Sequence, residues 1–355
     1  WYGRYERPVS SVSLVGGFVF DAITLKRVDL FWENLWVGAH FIIIAIFIIL
    51  INLQENEAMD DKDASKKHFW YINILQFFFG GLLSAFIVFY YRSSAILDTW
   101  PFLFILLIAF VANESLKKHY ARLAFQIGLF FLSLLAFTIF IVPVLFHRIG
   151  WDIFLISGAI SLVILFLFLL GLKFIAKEKF KQSKKILMYS IAGIYLATNI
   201  LYFLNLIPPI PLSLKEAGVY HSIYRNDSEK YVVEGEEKEL FNYFSLREDF
   251  HAVKGSWAYA HSAIFSPAEF KNNIVHVWQK YDGASGQWTA VYRIDNIITT
   301  GGRDGGYRTY SYIKNIAPGE WRVNIETSDH KLIGRLRFNV TRVDTEPVLK
   351  TEVLN

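Results

Sequence analysis

Six long apolar runs constrain this chain more than any other feature, at about 35–53, 69–91, 99–114, 122–146, 152–174 and 186–207. A helix needs roughly 17–25 residues to cross a hydrocarbon core of about 30 Å, and lipid offers the backbone no hydrogen-bond partners. Runs of this length predict an α-helical membrane bundle. The third is the shortest and is expected to start at an Asp98 cap, with Pro101 in its first turn, where a missing N–H is tolerated. A seventh segment, Pro8 to Leu25, is bracketed by basic residues and weakened by Gly16-Gly17 and Asp21; it either spans or lies in the interface.

Charge sets the expected orientation, because cytoplasmic loops collect Lys and Arg. The connector before the last run carries Lys173, Lys177, Lys179, Lys181, Lys184 and Lys185, so it is expected inside. By parity, Lys117, Lys118, Arg122, Lys62, Lys66 and Lys67 fall inside too. If Pro8–Leu25 spans, Arg4 and Arg7 join them, giving 14 basic residues inside against Lys26, Arg27, Arg92 and Arg148 outside. Seven spans therefore fit better than six, with the N-terminus cytoplasmic and the first span acting as a signal anchor. In either count the chain beyond Pro211 emerges outside the cytoplasm.

Composition divides at the same place. Of 32 Phe, 26 precede residue 213, and the formal net charge of +4 splits into +5 before that point and −1 after it. The expected organisation is a transmembrane bundle over 1–211, a connector rich in Glu and Lys over 212–240, and an exported β-domain over 241–355. With no Cys, no disulfide supports the exported part, which suits bacterial export at least as well as eukaryotic secretion; the expected location is a bacterial cytoplasmic (inner) membrane. The positive charge flanks membrane segments, where attraction to anionic lipid accounts for it, so nucleic-acid binding has no support.

Ionisable groups at depth mark ion and proton pathways, and here they are nearly absent. His40 is the clearest mid-span candidate, with a packed or interfacial role the favoured reading beside Trp32 and Trp36. The last run carries a polar stripe of helical period, Tyr195, Thr198, Asn199, Tyr202 and Asn205, read as interhelical glue rather than a ligand site. Ser157 with Ser161 and Gly80-Gly81 read as close-packing points. The acidic loop Asp60-Asp61-Lys62-Asp63, with Glu55 and Glu57 before it, has oxygen ligands for Mg²⁺ but no matching cluster elsewhere inside, so a solvated charge run is preferred and no metal is expected.

Beyond the connector the period becomes two. Trp257–Ala260, Ile274–Trp278, Trp288–Ile294, Tyr307–Ile313, Trp321–Ile325 and Leu332–Val340 alternate with turns at Asp282-Gly283, Gly301-Gly302, Asp304-Gly305-Gly306, Pro318-Gly319 and Ser328-Asp329. Such spacing predicts an all-β, immunoglobulin-like antiparallel sandwich. Trp321, Val323 and Ile325 should share one face, with Arg322, Asn324 and Glu326 on the other.

The stretches I-V-H-V-W-Q-K from Ile274, Y-R-T-Y-S-Y-I-K from Tyr307, and P-G-E-W-R-V-N-I with R-L-R-F-N-V between Pro318 and Val340 carry a family likeness. So does the segment from Gly17 to Asp21 followed by Thr24 to Asp29. Together they resemble the bacterial domain-of-unknown-function family 2914. That resemblance implies a multi-pass membrane protein with a C-terminal β-domain. The family has no assigned activity, so it implies architecture and no mechanism.

A hydrolytic site needs a nucleophile, a base and an orienting acid within mutual reach. His221, His251, His261, His276 and His330 are scattered, and there is no Gly-x-Ser-x-Gly elbow. His251 and His261 with Glu248 and Asp249 offer a mononuclear metal site by composition, on a spacing that is not diagnostic. No catalytic residue, metal or cofactor is assigned. The aromatic load is the stronger lead: Tyr310, Tyr312, Arg303, Arg308 and Arg322 are candidate binding residues, since exposed aromatic and Arg groups form binding hot spots, and the Gly301–Gly306 loop is read as either part of that site or a plain hairpin.

Two functions follow. The preferred one is a non-catalytic membrane protein whose exported sandwich binds an envelope protein or a glycan, as an accessory or scaffold subunit of a larger membrane complex, with membrane lipid as its other partner. The alternative is a lipid-handling membrane enzyme or carrier with the sandwich as its lid; it requires a polar cavity lined by His40 or by Asn199 and Asn205.

Overall fold

The computed structural model describes residues 15–25, 31–54, 62–92, 96–115, 119–120, 122–207, 212–227, 230–236, 248–266, 274–295, 300–301 and 306–354. The chain divides into two compact units, one running to Pro211 and the other from Leu212 to the C-terminus.

The first unit is helical: α1 (Val15–Thr24), α2 (Phe31–Gln54), α3 (Lys62–Arg92), α4 (Ile96–Ser115), α5 (Leu123–Phe146), α6 (Trp151–Ile175) and α7 (Lys177–Phe203). Helices α2, α3, α5, α6 and α7 are long and apolar enough to cross a membrane, while α1 and the apolar stretch Trp100–Asn113 of α4 are shorter. The described part of the Pro8–Leu25 segment is thus helical to Thr24, and its first residues lie outside the described ones. Helix α4 begins at Ile96, so Asp98 lies within the helix and does not cap it, and Pro101 lies inside the helix, beyond the first turn.

Helix α2 packs on α3, α3 on α4, and α5 on both α6 and α7. The interior is dominated by Phe and Leu, including Phe79, Phe86, Phe102, Phe131 and Phe140. Phe166, Leu167, Leu196 and Ile200 point outward, as helices solvated by lipid require. Inside, five polar residues form one network. Gln76 and Asn113 exchange side-chain-to-backbone hydrogen bonds of 3.0 and 3.2 Å, the Tyr120 hydroxyl donates to the Asn113 side-chain oxygen, Gln126 donates to the Tyr120 carbonyl, and Asn52 donates to Gln126 Oε1 at 2.7 Å. Sequence reading missed this network.

The second unit contains twelve described strands: β1 (Ser213–Tyr220), β2 (Ser222–Arg225), β3 (Tyr231–Glu236), β4 (Glu248–Ala252), β5 (Trp257–Phe265), β6 (Ile274–Asp282), β7 (Gln287–Ile294), β8 (Thr300–Gly301), β9 (Tyr307–Lys314), β10 (Gly319–Thr327), β11 (Leu332–Arg342) and β12 (Leu349–Val353). They form sheets ordered β1-β5-β9-β8, β4-β11-β10-β6-β7 and β12-β3-β2. The first two face each other across a core of Val219, Ala260 and Ile313 on one side and Trp278, Trp321, Val323 and Phe338 on the other. On β10 Trp321, Val323 and Ile325 are buried in the core, and Asn324 on the other face is covered too, bonded to Glu326 and Arg335.

Two expectations need correction. Residues 212–240 were expected to connect the parts, but the described ones carry β1, β2 and β3. Glu234 and Glu236 give β3 its charged look, while Tyr231 and Val233 pack in a second core with Tyr220, Ile223 and Leu354. The sandwich is also not wholly antiparallel, because β4 pairs with β11 in parallel, Phe338 opposite Glu248. The small third sheet lies over the outer face of the first, since Tyr259 and Tyr310 pack against its core.

Candidate functional site

Alternation along β5 and β9 sends Ala258, Ala260, Ser311 and Ile313 into the sandwich and Trp257, Tyr259, Tyr310 and Tyr312 to the opposite face. Register then aligns the rings: Tyr259 pairs with Tyr312, and His261 with Tyr310. The result is a continuous aromatic strip. Trp257 meets Tyr312 edge to face at 5.3 Å, Tyr312 meets Tyr259 at 5.4 Å, and Tyr310 lies 6.4 Å from Tyr312.

The strip passes from exposed to covered. Tyr312 is 51% exposed and Trp257 40%, whereas Tyr310 is half-buried beneath Tyr231 of the third sheet, ring to ring at 5.9 Å. At the covered end His261 is buried, with both ring nitrogens unbonded among the described residues; burial, then the charge of Arg308, lowers its pKa to about 4.

The candidate binding residues therefore separate. Tyr310, Tyr312 and Arg308 share one sheet. Arg322 lies on the outer face of the other, its guanidinium 4.4 Å above the Trp288 ring and bonded to Gln279 at 2.5 Å. Arg303 lies outside the described residues, as do residues 302–305 of the Gly-rich loop. Gly306 has a φ of +77°, and a Cβ there would come within 2.9 Å of the Ile264 carbonyl oxygen.

A buried Ser–His constellation also emerges. Ser262 Oγ lies 2.9 Å from His276 Nε2, His276 Nδ1 lies 2.8 Å from Ser311 Oγ, and Trp278 Nε1 donates to Ser311 Oγ at 2.9 Å. It superficially matches a nucleophile and its base. Yet His276 and Ser262 have no exposure at all, and burial, with His261 nearby, lowers the His276 pKa to about 3. A neutral imidazole bridging the two sheets is a structural tie, since no substrate reaches it.

The third polar group clusters at the edge of the third sheet. Glu236 accepts from His221 Nε2 at 3.0 Å and from His251 Nδ1 at 2.5 Å, and also from the His251 backbone N–H at 2.6 Å. Burial alone would raise the Glu236 pKa; these hydrogen bonds outweigh it and bring it to about 2. A cleft of 270 Å³ opens here, lined by His221, Glu234, His251, Ser256, Trp257 and Glu346 among others. Among the described residues, no group of three or more His, Cys, Asp or Glu is placed to hold a metal ion. His251 bonds Glu236, while His261 lies under Tyr231, so the grouping of these two histidines with Glu248 and Asp249 that composition allowed does not form. The acidic loop residues Glu55, Glu57, Asp60 and Asp61 lie outside the described residues.

In the bundle, His40 is buried, donates to the Trp36 carbonyl at 2.9 Å, and lies edge-on to Trp36 and Phe78. Its Nε2 would be 2.9 Å from a Cβ on Gly81, so α2 and α3 approach closely there. The polar stripe of α7 turns toward α6: Tyr195 lies against Gly158, and Tyr202 stacks on Phe154 with centroids 3.7 Å apart. Thr198 and Asn199 return their hydrogen bonds to their own helix, at Ile194 and Tyr195. Asn205 departs from the stripe. It adopts a φ of +58° just beyond α7 and is exposed, the left-handed conformation that ends helices.

The strands from β6 to β11 that carry Tyr310, Tyr312 and Arg322 coincide with a family match. Residues 271–340 match the DUF2914 family, described as a protein of unknown function. The matched segment holds His276, Trp278 and Ser311 of the Ser–His tie and half of the aromatic strip, while Ser262, Trp257, Tyr259 and the named cleft residues lie outside it. Among curated proteins, none matches the chain. Two solved structures bear a likeness. One is an immunoglobulin-like protein from Pseudomonas aeruginosa, 12% identical, covering 37% of this chain and 96% of that one, with a TM-score of 0.23. The other is the Pseudomonas fluorescens alkylpurine DNA glycosylase AlkC bound to DNA containing an abasic site analog, 8% identical, covering 89% and 100%, with a TM-score of 0.20. At those scores neither carries an argument about this chain.

Proposed function

We propose that this is a non-catalytic, multi-pass protein of the bacterial inner membrane. Its C-terminal β-domain lies outside the cytoplasm and binds a partner, an envelope protein or a glycan, as an accessory or scaffold subunit of a membrane complex. The observation that carries this is the aromatic strip on β5 and β9, with Trp257 and Tyr312 exposed on a sheet whose other face is a packed core. Rigid, half-exposed rings bind at low entropic cost, and aromatic residues dominate interface hot spots. Arg308 shares that face but lies beyond the half-buried Tyr310, at the covered end of the strip, with its Nε buried. Arg322, on the other sheet, would serve a second contact.

The orientation rests on the distribution of basic residues, 14 inside against 4 outside with seven spans. The alternative of a lipid-handling enzyme required a cavity lined by His40 or by Asn199 and Asn205; Asn199 bonds back to Tyr195 of its own helix, Asn205 is exposed beyond α7, and His40 is packed against Trp36 and Phe78. Extraction from native membranes in mild detergent, followed by identification of whatever protein or glycan co-purifies, tests the proposal. A retained partner that depends on Tyr312 is expected. A monomer that holds neither protein nor glycan would overturn it.

A further inference from the structure

The cleft beside the aromatic strip is a walled cavity with mixed chemistry, and its charge does not balance. Glu234 and Glu346 line it, and Glu236 holds the two lining imidazoles, His221 and His251. The described lining residues include no Lys or Arg. Three carboxylates stand against two imidazoles and the Lys314 ammonium above the Trp257 ring, so this group of side chains is negative while the imidazoles are neutral. Glu236 is occupied by the histidines, and Glu234 accepts from Ser222 Oγ at 2.6 Å. Glu346 is exposed and makes no ion pair among the described residues.

The aromatic wall points to the same ligand. Trp257 lines the cleft, and its ring already attracts one ammonium group of this chain, with Lys314 Nζ 5.2 Å from the ring centroid. An indole face beside a carboxylate is a receptor for a cation, through the ring quadrupole and through charge. A neutral ligand would gain nothing from the excess of negative charge.

We infer that the cleft between Trp257 and Glu346 receives an ammonium group, the side chain of a lysine on a basic segment of a partner polypeptide. The inference rests on the partner-binding reading above and names the chemistry the partner must present. Trp257 would form the wall against the lysine side chain, Glu346 would pair with its ammonium, and the His221–Glu236–His251 clamp would hold the cleft's shape.

The test is isothermal titration of the full chain, in nanodiscs of zwitterionic lipid, with pentalysine, pentaglutamate and a neutral chitin tetrasaccharide as probes. Pentalysine is expected to bind and the other two are not. Trp257→Ala should weaken pentalysine binding by roughly two- to thirtyfold and Glu346→Gln by roughly two- to fivefold. Asp329→Asn removes the same charge at the distant β10–β11 turn and should leave binding unchanged. Glu346 is exposed, so its variant reports even if Trp257→Ala folds poorly. The inference is overturned if pentalysine does not bind, if Asp329→Asn weakens it as much as Glu346→Gln does, or if the tetrasaccharide binds in a Trp257-dependent way. A partner still retained from native membranes in any of those cases would leave the broader reading standing; a chain that retains nothing would remove both.

Discussion

Tyr310 and Tyr312 sit two residues apart on one face of β9, yet the first lies beneath Tyr231 and the second is 51% exposed. The third sheet makes that difference. It divides one aromatic strip into a part that stabilises the domain and a part free to touch a partner.

The two tyrosines should therefore fail differently. Tyr310→Ala is expected to lower the stability of the β-domain by about 1–3 kcal/mol, because the ring packs between two sheets. Tyr312→Ala is expected to change stability by less than about 0.5 kcal/mol. Thermal unfolding of both variants in the same detergent checks this. Equal destabilisation would contradict the assigned division.

Acid should loosen the β-domain well before its carboxylates titrate. His276 and His261 have folded pKa values lowered to about 3 and about 4 from 6.5. Below 6.5 the unfolded chain binds protons that the folded one refuses, so stability is fully present above 6.5 and falls as pH drops toward 3–4. Each histidine contributes a slope of up to about 1.4 kcal/mol per pH unit. Glu236, depressed from 4.5 to about 2, adds stability that is present above 4.5 and lost as pH falls through 2. Denaturant titrations at a series of pH values would show the slope, and His276→Ala should flatten it. That variant should also cost about 1–3 kcal/mol by leaving buried hydroxyls without their partner.

Gly306→Ala is expected to destabilise the β-domain by about 1–3 kcal/mol. The backbone there has a φ of +77°, and the new Cβ would press on the Ile264 carbonyl at 2.9 Å. Chemical denaturation of the variant is the check. A neutral effect would mean that the approach to β9 adopts another conformation.

Gln126→Leu should destabilise the bundle by about 0.5–2 kcal/mol, a range set by measured interhelical hydrogen bonds in membranes. Gln126 accepts from Asn52 and donates to the Tyr120 carbonyl, so one substitution breaks two links of the network. Thermal aggregation in detergent reports it.

The helices, the division near Pro211 and the six strands from β5 to β11 other than β8 were legible because hydrophobic period and length are local properties. The polar network of the bundle was not. Asn52, Gln76, Asn113 and Gln126 stand alone on four helices and produce no period, so only packing reveals that they meet. The α7 stripe had a period and was visible, but Asn205 fell on it by spacing alone and instead ends the helix. Strand β3 was hidden by Glu234 and Glu236, whose partners Ser222, His221 and His251 lie elsewhere in the chain. The His221–Glu236–His251 clamp draws its residues from outside β2, from β3 and from β4, each histidine 15 positions from the glutamate. Nothing in the local sequence marks that meeting.

Co-purification from native membranes tests the central claim most directly. The wild-type chain and its Tyr312→Ala and Trp257→Ala variants would be extracted in mild detergent, checked for equal unfolding temperature, and compared for retained protein and glycan. The account predicts a partner bound to the wild-type chain and depleted from both variants. A wild-type chain that emerges alone, or a partner retained equally by all three, would contradict it.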